Sequence, residues 1–246
     1  MLYDLGIGRV YWIDEEGKLA SDPFDPSYME KVDVFVIGSP VAGGFVVPDF
    51  RVGDYRDEER LILMAEERIP YDILEVNLDF EDIEGGVFVG WARTTEIDRL
   101  KEKFGEALFN VRIIPREYLL FRSFDYLGKL GFTFENDVIL DVIGSYVTAT
   151  ICCGTLKGCF CLDRREADLI SDSLGILNNL LARYLEIDKF RVCLMNYVTS
   201  SILVRDLLKL FPNVVFLEEA IDLLKGMEFN ENRPCSYFLA LQDLGK

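Results

Sequence analysis

Apolar positions along this chain follow two periods. Alternating or short continuous apolar runs, bounded by glycine, proline or acidic turns, predict strands over 3–13 (broken by Gly6-Ile7-Gly8), 18–21, 33–38, 45–52, 75–80, 87–92 and 111–114. The 75–80 run is the clearest, with Val76, Leu78 and Phe80 on one face. Helical spacing predicts helices over 56–68, with Leu61, Met64 and Ala65 inward and Pro70 as the stop, over 95–108, and over 116–130. Ile97, Leu100, Phe104 and Ala107 make the stripe of the second, which Thr94 or Thr95 can cap. Near Gly131 the pattern restarts: a strand over 137–142, a hairpin of 145–153 and 159–162 across 154–158, and a helix over 165–186. Then come a strand over 190–195, a helix over 203–210, a strand over 214–216 and helices over 220–225 and 235–244. Gly43-Gly44 and Gly85-Gly86 read as hairpin turns. The mixture is α/β. Leu2 to Gly8 and Ile139 to Ser145 echo each other as strand, aspartate, glycine and strand, which suggests a duplicated architecture.

Composition removes several chemistries. The 246 residues carry a net charge of −17 and no histidine. That excludes Ser-His-Asp and Cys-His nucleophile systems and every histidine-liganded metal. So acidic a surface repels phosphate backbones and anionic headgroups, so neither nucleic acid nor direct membrane insertion is expected. The start, Met1-Leu2-Tyr3-Asp4, lacks the basic region of a signal peptide. The longest uncharged runs, 34–48 and 142–156, fall short of a spanning helix. A soluble cytoplasmic protein is expected. Of six cysteines, Cys152, Cys153, Cys159 and Cys161 cluster. A four-thiolate zinc site is conceivable, but neighbours in a strand point to opposite faces, so core cysteines are the favoured reading. A cross-strand disulfide is disfavoured in reducing cytosol.

The paired Asp-x-Gly hairpins resemble those of the actin-like ATPase superfamily. The resemblance implies an actin-like fold of two ribonuclease-H-like subdomains, 1–134 and a shortened 135–246, with a small strand-rich insertion at about 32–93 in the first. It implies a nucleotide cleft of Asp4, Gly6, Gly8 and Arg9 from one hairpin and Asp141, Gly144 and Ser145 from the other. Glycines let backbone amides approach phosphate, and aspartates position hydrated magnesium. The chain departs from that pattern at Ile143, where the family has glycine, and over 195–200, where the adenosine turn has none and carries Tyr197.

The middle segment narrows the resemblance. The run Phe45-Val46-Val47-Pro48-Asp49-Phe50-Arg51-Val52, the acidic helix ending Arg68-Ile69-Pro70-Tyr71, and Val76-Asn77-Leu78-Asp79-Phe80 look like PilM of type IV pilus assembly and the cytoplasmic domain of GspL of type II secretion. So does the ending, Pro234 to Leu241. What this implies is a non-catalytic cytoplasmic scaffold with no catalytic residue, metal or cofactor. Its partner would be the cytoplasmic segment of an inner-membrane assembly protein of the PilN kind, docked on an exposed strand edge or the insertion. The alternative is a working ATPase that holds ATP and magnesium between Asp4 and Asp141. A small-molecule kinase remnant, with Asp79 as its acid, ranks last.

Overall fold

The structure is a computed structural model describing residues 1–53, 55–143, 146–163, 191–195, 213–221, 224, 227–230 and 232–245. The chain opens with a hairpin, β1 (Leu2–Asp4) and β2 (Arg9–Ile13), extended by β3 (Leu19–Pro23). Gly8 turns the hairpin at a φ of 75°, and its N–H donates to the Asp4 carbonyl at 2.8 Å. β4 (Val34–Ile37) joins β1 in parallel. Then come β5 (Ala42–Pro48), α1 (Tyr55–Glu66), β6 (Val76–Ile83), β7 (Gly86–Arg93) and α2 (Thr94–Phe104). β8 (Arg112–Pro115) pairs with β4 and leads directly into α3 (Arg116–Lys129). The second half has β9 (Asn136–Ile143), β10 (Tyr146–Cys153), β11 (Thr155–Asp163), β12 (Arg191–Met195), β13 (Asn213–Phe216), α4 (Leu217–Ala220) and α5 (Cys235–Leu244).

Two five-stranded sheets result, in the orders β3-β2-β1-β4-β8 and β11-β10-β9-β12-β13. Each is an antiparallel three-strand meander followed by two parallel strands, so the duplication heard in the sequence is a duplication of topology. A separate three-stranded antiparallel sheet, β5-β7-β6, lies between β4 and α2 in the chain. β4 belongs to the first sheet, and the strands of the extra layer begin at Ala42.

Two helices tie the halves together. α3 leaves the first sheet and packs beside β10 of the second, while α5 ends the chain and packs beside β2 of the first. They pack on each other, and the largest core cluster runs through both: Leu119, Leu120 and Leu127 from α3, Tyr237, Phe238 and Leu239 from α5, Tyr11 from β2, and Ile139 and Ile143 from β9. A second cluster, around Phe35, Leu100 and Leu108, fills the space between the first sheet and α2. A third, around Leu61, Val87 and Val89, joins α1 to the extra sheet.

Several local expectations are corrected. Gly43 and Gly44 lie inside β5, not in a turn, because side chains from β7 cover them. A Cβ on Gly43 would sit 2.9 Å from the Trp91 ring, and one on Gly44 would strike Phe88. The β10–β11 turn is tight at Gly154, so β11 begins at Thr155 and the extra residues are absorbed by a register shift at Ile151/Cys152. α2 begins at Thr94 with Arg93 as its cap and no side-chain capping bond, and a 3-10 turn, Gly105–Asn110, follows it. α4 lies just before the helix expected over 220–225. The helices expected over 165–186 and 203–210 lie outside the described residues. All six cysteines are free; Cys152, Cys159, Cys161, Cys193 and Cys235 are buried, and burial raises the Cys152 and Cys159 thiols.

Candidate functional site

β1 ends at Asp4, and sheet geometry carries that carboxylate into the seam between the halves. It is fully buried. Its Oδ1 accepts from the Ile7 N–H at 3.0 Å and from Arg116 Nη2 at 2.8 Å. Its Oδ2 meets Arg116 Nη1 at 2.8 Å and also accepts from the Tyr237 hydroxyl, which in turn takes a hydrogen bond from Arg116 Nη1 at 2.6 Å. This is a two-pronged arginine–carboxylate pair, the strongest geometry for such ions. Burial opposes the Arg116 charge, but Asp4 more than offsets it, and its pKa lies above the usual arginine value. The guanidinium also stacks on the Tyr146 ring, 3.8 Å from its centroid.

Tyr146 closes the other side. It opens β10 opposite Ile143, and a Cβ on Gly6 would run into its hydroxyl. Gly6 therefore admits a tyrosine ring from the second half. Arg9 is half-buried, and its Nη2 donates to the carbonyl and hydroxyl of Ser21 on β3, each at 3.2 Å. Asp141 is buried on β9 between Thr148 of β10 and Met195 of β12. Burial first, then the charge of Asp4, raises the Tyr11 phenol against the opposing charges of Arg9 and Arg116, with Asp141 adding a smaller push. Ile143 is packed in the main core. Gly144, Ser145 and the 196–200 segment lie outside the described residues.

Of the residues expected in the cleft, Asp4 and Gly6 lie at the seam against Arg116 and Tyr146, Asp141 is buried on β9, and Arg9 is held by Ser21 of β3. The structure adds Arg116, Tyr237, Tyr146 and Tyr11, which motif reasoning does not find. One signal for Arg116 was present: a cation at the first position of a helix opposes the helix dipole and calls for a buried acid nearby. What remains open is a 300 Å³ hollow lined by Gly6, Gly38, Ser39, Glu96, Arg99 and Tyr146, with Glu96 and Arg99 paired at 3.1 Å.

A second opening lies between the extra sheet and the first sheet. It is a 260 Å³ groove. Phe88, Gly90 and Ala92 of β7 form one wall with Asp79 and Glu81 of β6, and Arg112, Ile113 and Ile114 of β8 form the other. Both β6 and β8 are edge strands of their sheets. Tyr118 of α3 lies in the groove, its ring 5.2 Å from Phe88, and its hydroxyl donates to Glu81 Oε2. Burial, then this bond to Glu81, pushes the phenol up to about 12. Asp79, considered as a kinase acid, lies in this groove, apart from Asp4. Among the described residues no cluster of three cysteine, aspartate or glutamate side chains is arranged to hold a metal.

No protein-family model matches the sequence, and no curated protein matches it significantly. Solved structures do match the fold. The chain is similar to a Bacteroides thetaiotaomicron protein with an actin-like ATPase fold and unknown function, at 11% identity and a TM-score of 0.60, over 90% of this chain and 91% of that one. It is similar to a chain of the PilM–PilN type IV pilus biogenesis complex, at 16% identity and 0.56, over 98% and 97%. It is also similar to the cytoplasmic domain of EpsL, an inner-membrane component of the Vibrio cholerae type II secretion system, at 12% identity and 0.53, over 99% and 92%. The fold is actin-like. At these identities the likeness speaks for the architecture alone.

Proposed function

We propose that this chain is a non-catalytic actin-like scaffold that holds the cytoplasmic segment of an inner-membrane assembly protein, in the manner of PilM and GspL. One observation carries the first part. Asp4, the acid that would position magnesium, is already neutralised by Arg116 and Tyr237, and Tyr146 occupies the space over Gly6 that a phosphate would need. To bind Mg-ATP here, the protein would have to break a fully buried ion pair and move a ring. The shared strand order of the two sheets supports reading the halves as ribonuclease-H-like subdomains, about 1–134 and 135–246.

For the partner, the groove between β6 and β8 is the favoured site. β6 and β8 are sheet edges among the described residues, and such edges offer backbone for an extended segment to pair with. Gly90 keeps the floor low, and Asp79 and Glu81 favour a segment carrying lysine or arginine, as does a net charge of −17. The most exposed large apolar side chains among the described residues, Leu74 and Phe109, sit on 3-10 turns leading into these same strands. The likeness to PilM in complex with PilN, and to the cytoplasmic domain of EpsL, supports a partner of this kind.

A thermal melt tests the reading. With millimolar Mg-ATP the midpoint is expected to stay within about 1 °C. A ligand present at about 100 times its Kd adds roughly 2.7 kcal/mol to the native state, which in a chain of this size is a rise of about 5–10 °C. A rise of that order, lost in Asp141→Ala, would make the ATPase reading correct instead.

A further inference from the structure

The groove is wired to the junction between the halves. Glu81 lines the groove from β6, yet its carboxylate is shared: Tyr118 donates to Oε2 and Arg122 Nη1 to Oε1 at 3.2 Å. Both donors belong to α3. The other terminal nitrogen of Arg122 makes an ion pair, without hydrogen-bond geometry, to Asp243 of α5, Nη2 to Oδ2 at 2.5 Å. Asp243 has no exposed side-chain surface and is also held by Lys129 of α3, Nζ to Oδ1 at 2.6 Å. Arg122 thus stands between an acid in the groove and a buried acid on the last helix. Along the same helix pair, Ser123 donates to the Ser236 carbonyl at 2.7 Å, and Arg116, about two turns earlier on α3, donates to Tyr237. A change in what holds Asp243 therefore acts on the pair of helices that joins both sheets.

We propose that Arg122 is an internal competitor for the groove, so that a cationic side chain of a bound segment takes Glu81 from Arg122 and releases it to Asp243, coupling occupancy to the α3–α5 junction. This rests on the groove being the docking site. A cation arriving at Glu81 competes with one already there, and a guanidinium that gives way keeps a buried carboxylate within reach. The exchange costs little charge at either end and needs no movement of the sheets. By linkage the coupling is reciprocal: what happens at Asp243 must alter affinity in the groove.

The test uses the full chain and a fluorescein-labelled ten-residue peptide of alternating lysine and valine. Arg122→Gln is expected to tighten peptide binding about two- to fivefold by freeing Glu81. Asp243→Asn, which does not line the groove, is expected to weaken it by a similar factor, because Arg122 then turns fully to Glu81; that effect should vanish in the Arg122→Gln background. Unchanged affinity in Asp243→Asn, or an equal effect with and without Arg122, overturns the coupling. A second readout needs no ligand: hydrogen exchange in the last turn of α5 should slow about twofold in Glu81→Gln, and not in Arg122→Gln/Glu81→Gln. An unaltered exchange rate overturns the coupling. A peptide that binds no variant, beside an exchange effect that is present, overturns the docking reading instead and leaves the wiring standing.

Discussion

Arg116 decides the character of the seam. A buried carboxylate without a counter-ion is costly, and Asp4 would be one if Arg116 were absent. Here the acid at the end of the first strand faces a guanidinium from its own chain. Arg116→Met is therefore expected to destabilise by about 3–5 kcal/mol, because it strands the Asp4 charge. The Asp4→Asn/Arg116→Met pair should recover much of that loss, since neither charge is left. Urea unfolding of the single and double variants measures this. A single variant that loses less than about 1 kcal/mol, or a double variant as poor as the summed singles, would show that the pair is not the anchor described above.

At the scale of elements, strands and helices follow the apolar periods closely, and the misreadings have identifiable causes. A Gly-Gly pair is a turn signal when nothing else is known. In β5 the same pair is a strand segment, because the rings of Trp91 and Phe88 on β7 need the room that two missing side chains leave. That cause lies some 45 residues away in the chain and leaves no local trace. Gly44→Val should accordingly overpack the β5–β7 face and cost about 1–3 kcal/mol, read as a lower thermal midpoint with the near-ultraviolet aromatic signal altered. An unchanged midpoint would mean that Phe88 can simply swing aside. The cap of α2 was misplaced by one residue for a weaker reason: either threonine could cap, and the chain instead enters the helix straight from β7.

For the molecule as a whole, the junctions matter more than the sheets. Besides the α3–α5 pair, the extra sheet meets the second sheet along β5 and β11, and Glu117 of α3 lies buried at that contact. Burial raises its carboxyl to about 7, against the pull of the backbone amides of Gly44 on β5 and Cys161 on β11. Its Oε2 has no hydrogen-bond partner among the described residues. The sign follows from linkage. The native state keeps this proton from the ordinary value of 4.5 up to about 7, where the unfolded chain has lost it. The stability it favours is full below pH 4.5 and is lost as pH rises through about 7. Relative to Glu117→Gln, the wild type should lose about 3 kcal/mol across that window. Parallel urea titrations of both proteins at pH 4.5 and pH 8 check it; identical pH profiles would mean that the Glu117 carboxyl titrates in the fold as it does in the unfolded chain.

The sequence alone determined the alternation of strands and helices, the restart after Gly131, the location of Asp4 and Asp141 on strands and of Gly6 in the first hairpin turn, and the exclusion of histidine chemistry. These are local matters: a period of two or 3.6 records which face of each element is buried, and a glycine or proline records a turn. Only the tertiary structure decided what fills the seam. Asp4 finds Arg116 and Tyr237 at separations of 112 and 233 residues, and Gly6 meets a ring from the other half. Such partners are chosen by how two sheets and two crossing helices pack, and a motif read along the chain carries no information about which side chain arrives from across a packed interface.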